Sequence, residues 1–172
     1  MRSLKKFIIL GVSGALLATA IARTEFEGCA AVEEIEIELR TVRTTAYSHG
    51  EADHLKYGRK NAIGKPLKYG RVRSAAADWS RFPLGTKFRL TDEPDTLYVV
   101  DDYGSALVGK ETIDLYKPTM RAMRKWGTQR VDIEIIEWGS LEESLRILKP
   151  RAKKASHVRR MVWALQRQVE EA

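Results

Sequence analysis

The sequence predicts a mainly β fold: a small β-barrel followed by a C-terminal helical extension. Three observations carry that reading. Several short apolar runs rich in β-branched residues are separated by turn residues; one short helical pattern interrupts them; and beyond Gly139 the hydrophobic period changes from two to that of a helix. Short strands with few helices favour a barrel over a doubly wound sheet.

Taken in order, Ile35, Ile37, Leu39, Val42, Thr44 and Ala46 keep period two and predict the first strand. Residues 48–70 carry Gly50, Gly58, Gly64 and Gly70 among His, Lys and Asn, and read as a long surface loop, a class that is often functional. Residues 72–77, 87–91, 96–101 and 131–138 are further strand candidates. Residues 119–126 predict a short helix ended by Gly127. Ser140 followed by Glu143 is a capping box, Leu141, Leu145 and Leu148 form a stripe, and Pro150 stops that helix. The last segment sets Val158, Met161, Val162, Leu165 and Val169 against Arg159, Arg160 and Arg167. Such an amphipathic helix packs onto the barrel or a neighbouring chain, or lies on a membrane surface.

The 172 residues, 44% hydrophobic and 31% charged, suit one globular domain with a core of its own. Residues 1–22 read as a secretory signal: Arg2, Lys5 and Lys6 precede an apolar run, and Ala18, Ala20 and Ala22 supply a cleavage pattern. The alternative is an uncleaved anchor, and both readings export the domain to the periplasm or cell envelope. Residues 23–34 read as a linker, 35–139 as the barrel and 140–172 as a basic helical tail. Cys29, the sole cysteine, excludes an internal disulfide and is a linker thiol or a lipid attachment site.

The formal charge of +7 overstates the basicity of the barrel. Removing residues 1–22 takes away three positive charges and no negative one, leaving about +4, much of it between Arg146 and Arg167. Without a basic stripe interleaved with aromatics, nucleic-acid binding has no support. The spacing of His49, Glu51, Asp53 and His54 fits no tight zinc motif and reads as a solvated loop; no metal or cofactor is expected. Trp138 closes an alternating strand and is expected in the core, whereas Trp79 is equally a core residue or a sugar-stacking platform.

Three aspartates carry the chemistry: Asp78 after Ala75-Ala76-Ala77, Asp102 in Asp101-Asp102-Tyr103-Gly104, and Asp114 in Ile113-Asp114-Leu115-Tyr116. Two of them end apolar strand-like runs. A carboxyl held against apolar walls and beside other carboxyls has a raised pKa and can donate a proton near neutrality, as glycosidic-bond chemistry requires. Asp78 and Asp102 are otherwise turn residues accepting backbone N–H bonds. Strand alternation points Asp101 away from Asp102.

The order Thr45-Ala46-Tyr47, Gly64, Ala77-Asp78, Pro83-Leu84-Gly85-Thr86, Asp102-Tyr103-Gly104, Ala106, Gly109 and Ile113-Asp114-Leu115-Tyr116 resembles the three-aspartate (3D) domain. That domain is shared by stationary-phase survival proteins of spore-forming bacteria and the C-terminal part of membrane-bound lytic transglycosylase A. The resemblance covers residues 41–138 and implies a six-stranded double-psi β-barrel that cleaves peptidoglycan glycan strands without water. It implies Asp114 as catalytic acid/base, Asp102 and Asp78 as flanking aspartates, and Thr45, Tyr47, Gly64, Gly104 and Ala106 as substrate-binding positions. Tyr103 and Ser105 stand where the family commonly has Thr and a second Gly, and the interval from Asp102 to Asp114 is one residue longer. A peptidoglycan-binding barrel without turnover and an aspartate-dependent glycoside hydrolase are the rival readings. The tail is expected to be separable from the barrel and to contact the cell envelope or a membrane surface.

Overall fold

The computed structural model describes residues 38–52 and 54–171. The expected leader and linker, with Cys29, Ile35, Ile37 and Asp53, lie outside the described residues. Six strands close into a barrel: β1 (Glu38–Tyr47), β2 (Val72–Ala76), β3 (Lys87–Leu90), β4 (Glu93–Asp102), β5 (Thr112–Tyr116) and β6 (Gln129–Glu137), in the order β1-β5-β2-β4-β3-β6. The pairs β1/β5 and β2/β4 are parallel and the other four antiparallel. Each half thus offers one parallel pair, and the halves meet at β5/β2. This is the arrangement of a double-psi β-barrel.

Alternation sets the inward face of β1, where Val42 and Thr44 are buried between exposed Thr41 and Arg43. β4 starts earlier than its apolar run suggested, because residues 91–92 form a tight turn that puts Glu93 opposite Leu90. β5 has no alternation to read: Thr112, Ile113, Leu115 and Tyr116 are all buried around a half-buried Asp114. A short strand covered on both faces and interrupted by a carboxylate leaves little periodic signal. Between β2 and β4 the register skips Asp101, pairing Ala75 with Val100 and Ala76 with Asp102. Such a bulge re-aims the side chains around it.

Helix α1 (Met120–Trp126) is capped by Thr119, whose hydroxyl accepts from the Ala122 N–H, and ends at Gly127 with φ of 64°. Helix α2 (Leu141–Leu148) uses Ser140 as N-cap, the hydroxyl accepting from the Glu143 N–H at 2.9 Å. The Glu143 carboxylate turns to Arg146 instead of completing the capping box. Pro150 leads into a 3-10 turn (Lys149–Arg151), and helix α3 spans Ser156–Glu171.

The two helices share the barrel's hydrophobic core. Leu145, Leu148, Val158, Met161, Val162 and Leu165 belong to the same buried cluster as Trp79, Phe82, Leu84 and Phe88. The junction is tight: the Leu84 N–H donates to Ser144 Oγ at 2.8 Å, and Ser140 N–H donates to the Leu84 carbonyl. A Cβ on Gly139 would lie 2.3 Å from the Leu84 carbonyl oxygen, so only glycine fits there. Packing therefore does not support the expectation that a barrel ending at Gly139 stands alone, since truncation would remove six buried side chains from the shared core.

Of the tryptophans, Trp79 takes one of its two expected places and Trp138 departs from its own. Trp79 is fully buried and donates from Nε1 to the Asp102 carbonyl at 2.8 Å, which makes it core. Trp138, expected in the core, is 39% exposed; it stacks on Phe82, donates to Glu38 and lies under the Arg40 guanidinium. Leu165→Ala is expected to cost about 2–5 kcal/mol and to lower a single urea-unfolding transition of barrel and helices together. Trp163→Ala, on the exposed face of α3, should stay within about 0.5 kcal/mol. Two separate transitions would contradict the shared core.

Candidate functional site

The parallel pairing of β1 and β5 sets Thr45 opposite Asp114 and Tyr47 opposite Tyr116. Thr45 Oγ1 donates to Asp114 Oδ1 at 2.7 Å. Two residues on, and so on the same side of the strand, the buried Tyr47 hydroxyl donates to Asp102 Oδ2 at 3.2 Å. Burial first, then the negative charges of Asp102 and Asp101, hold the Tyr47 pKa well above its usual value; Asp114 adds a smaller push the same way. Tyr47 therefore stays a neutral donor within electrostatic reach of both carboxylates.

Asp102 ends β4, where its main chain and side chain are both engaged. Its carbonyl accepts from Ala77 N–H at 3.1 Å as well as from Trp79, and Oδ1 accepts from Tyr103 N–H at 2.9 Å. The residue is only 8% exposed. Burial raises its pKa from 3.8 to about 6, opposed by the bonds from Tyr103, Tyr47 and the Ala62 N–H and assisted by the Asp101 charge. Asp101 turns the other way, accepting from Ser74 Oγ at 2.9 Å with Lys68 Nζ at 3.9 Å. Burial raises its pKa too, against the pull of Ser74, Asn61 and Lys68.

Asp78 sits differently. It is 1% exposed, and both oxygens are engaged. Oδ1 accepts from the Ser80 N–H and hydroxyl at 2.9 and 2.7 Å, forming a turn, and Oδ2 accepts from Gly109 N–H at 2.6 Å. Through Gly109, whose φ is 85°, it ties down the segment joining Asp102 to Asp114.

Asp102 opens into a cleft of about 880 Å³ that is also lined by His54, Asn61, Gly64, Tyr103 and Gly104. The wall that carries Gly64 is a local turn: Asn61 Oδ1 accepts from Ile63 and Lys65 N–H groups, and Gly64 takes φ of 76°. Ala106 is exposed on its loop and is not among the cleft-lining residues. Thr45, Tyr47 and Asp114 are not among the residues lining this cleft: Thr45 and Asp114 are half-buried on their strands, and the buried Tyr47 reaches the cleft through its bond to Asp102.

Sequence reasoning missed three members. His54, read as part of a solvated loop, is half-buried with its ring 5.7 Å from that of Tyr47, and its shielded Nε2 has no hydrogen-bond partner. Asn61 was not singled out, although Asn three residues before Gly is a turn signal. Tyr103, noted as a departure, packs edge-on against Trp79 at 5.1 Å, lies 6.2 Å from His157, and accepts from Arg151 at 3.4 Å. It joins the barrel to the helical tail. Among the described residues, no group of three His, Cys, Asp or Glu side chains could hold a metal ion.

Residues 73–137 match the family model of the 3D domain. The chain carries a 3D domain. No curated protein matches the chain. The match runs through β2 to β6 and includes α1 with Asp78, Asp102 and Asp114, while β1, the loop holding Gly64 and helices α2 and α3 lie outside it. Thus β1, which gives this 3D domain Thr45 and Tyr47, is supplied by chain outside the matched segment. The 3D-domain match suggests a peptidoglycan-related barrel and is consistent with action on a glycan.

The Asp102 carboxyl has a pH signature in stability. Its folded pKa lies above the ordinary value of 3.8, so the native state holds the proton to higher pH than the unfolded chain does. This group therefore costs nothing below about pH 4, and it removes stability as pH rises through about 6. Asp101 acts in the same direction. Asp102→Asn, which keeps an acceptor oxygen for Tyr47 or Tyr103, should exceed the parent at pH 7–8 by on the order of 2–3 kcal/mol. Urea midpoints at pH 4 and pH 8 check this: the difference should shrink at pH 4, and equal gaps would refute the buried-charge account.

Proposed function

We propose that this barrel is an exported lytic transglycosylase that cleaves the β-1,4 bond between muramyl and glucosaminyl sugars and leaves a 1,6-anhydro end. The observation that carries the reading is the linked pair of hydroxyl–carboxylate contacts, Thr45–Asp114 and Tyr47–Asp102, set beside the Asp102 cleft. Within the family, such a barrel is suited to proton transfer on a glycan.

In the proposed reaction, protonated Asp114 gives its proton to the glycosidic oxygen as the C1–O bond breaks. The resulting carboxylate then takes the proton of the C6 hydroxyl on the same muramyl residue. The C6 oxygen closes onto C1, so no water is consumed and Asp114 returns to its acid form. One positioned group acting twice supplies about 10²–10⁴-fold. Thr45 orients Asp114 by its hydrogen bond. Asp102, when ionised, favours the protonated state of a neighbouring carboxyl. Asp78, with both oxygens engaged, is a positioning residue for the loop between the other two.

A second reading gives the proton-donor role to Asp102, on the observation that it lines the cleft and keeps its proton up to about pH 6. The two readings separate by mutation. Incubation with isolated sacculi, followed by mass analysis of released fragments, should show anhydro ends with the parent protein. Asp114→Asn should reduce release by about 10²-fold or more while keeping the fold. Reducing ends would mean a hydrolase, and binding without release a wall-binding barrel.

Asp102→Asn should lower the rate by less and shift the upper pKa of the pH–rate profile downward, because a negative charge that keeps Asp114 protonated is gone. Should Asp102→Asn abolish release while Asp114→Asn retains it, the roles are exchanged.

A further inference from the structure

The cleft beside Asp102 is also lined by cationic groups that the proposed cleavage chemistry does not use. Lys56 and Lys60 come to it from the loop after β1, and Arg151, Lys154 and His157 from the tail. Among the described lining residues Asp102 is the only carboxylate facing these four Lys and Arg side chains. None of the four belongs to an ion pair among the described residues; Arg151 donates to the neutral Ala62 carbonyl at 2.9 Å and to Tyr103. His157, its pKa lowered by burial and by the nearby Arg160, stays uncharged at neutral pH. His54 Nε2 stands in the same cleft without a partner.

A chain of neutral sugars needs hydroxyl partners and stacking faces, not four unpaired cations. The muramyl sugar differs from its glucosaminyl neighbour by a lactyl ether whose carboxyl is either free or carries a peptide stem with carboxylates of its own. A cleft of about 880 Å³ holds more than one sugar ring and leaves room for such an arm. Charge-assisted hydrogen bonds from Lys and Arg are the chemistry that recognises a carboxylate.

We infer that the cationic groups of the cleft, Lys56, Lys60, Arg151 and Lys154, receive the carboxylate-bearing arm of the muramyl sugar. The inference rests on the glycan reading above. Every one of these cations lies outside residues 73–137, so the selectivity belongs to the segments this chain adds around its 3D domain. Tyr103 packs on Trp79 of the core and meets His157 and Arg151 of the tail, joining the barrel wall of the cleft to the tail residues that line it.

Calorimetric binding tests this with the whole chain carrying Asp114→Asn to block turnover. Three tetrasaccharides serve as probes: a neutral glucosaminyl oligomer, a glucosaminyl-muramyl oligomer with free lactyl carboxyls, and the same oligomer bearing peptide stems. At low salt at least one anionic oligomer should bind about tenfold more tightly than the neutral one. Adding Lys60→Gln and Lys154→Gln should close that gap, and so should 0.5 M salt with the lysines intact. Tighter binding of both anionic oligomers identifies the lactyl carboxylate, and of the stem-bearing one alone the peptide. Equal binding of neutral and anionic oligomers overturns the inference and leaves the glycan reading standing. A gap that survives both the substitutions and the salt also overturns it, and failure of all three oligomers to bind contradicts the glycan reading as well.

Discussion

The site depends on the double engagement of Asp102. Its carbonyl is held by Ala77 and by the indole of the buried Trp79, which fixes the end of β4 against the turn after β2. Its carboxyl is held by Tyr47 from β1 and by its own neighbour Tyr103. One residue thus ties three parts of the barrel to the lip of the cleft. The same confinement that positions the carboxyl also removes it from water, and that desolvation is the main cause of its raised pKa. Geometry and acidity come from one constraint, so a change that loosens the contact should alter both.

The departures at 103 and 105 become intelligible in this setting. Tyr103 meets Trp79, Arg151 and His157, groups that exist together only because the tail folds back. Ser105 lies on the lining of the cleft, and the segment leading to Asp114 is secured by Asp78 through Gly109. The tail consequently has two faces of different use. One buries Met161 and Leu165 in the common core, while the Arg151–His157 stretch borders the cleft. No helix of the described residues is long and apolar enough to cross a membrane.

Much of the fold was legible because alternation in β1, turn residues before β3 and β6, and the caps at Thr119 and Ser140 are local signals. β5 was not, since a strand buried on both faces and broken by Asp114 shows no period. The resemblance placed Thr45 among the substrate-binding positions, but its pairing with Asp114 through a parallel β1/β5 register is a long-range fact that no local pattern encodes. The asymmetry of the three aspartates was equally hidden. It arises only in the folded chain, where Asp78 has both oxygens engaged by Ser80 and Gly109 while Asp102 faces the cleft. His54 was misread because its surroundings are polar in sequence, whereas in space the ring packs against Tyr47.

The central claim is that the carboxylates beside this cleft act on a muramyl–glucosaminyl bond. The most direct measurement is a crystal structure of the Asp114→Asn protein with a bound glucosaminyl-muramyl tetrasaccharide. The account predicts a strand running along the Asp102 cleft, with a glycosidic oxygen within about 3 Å of the residue-114 side chain, as proton transfer requires. A saccharide bound elsewhere on the barrel, or one whose glycosidic oxygens reach neither residue 114 nor Asp102, would contradict it.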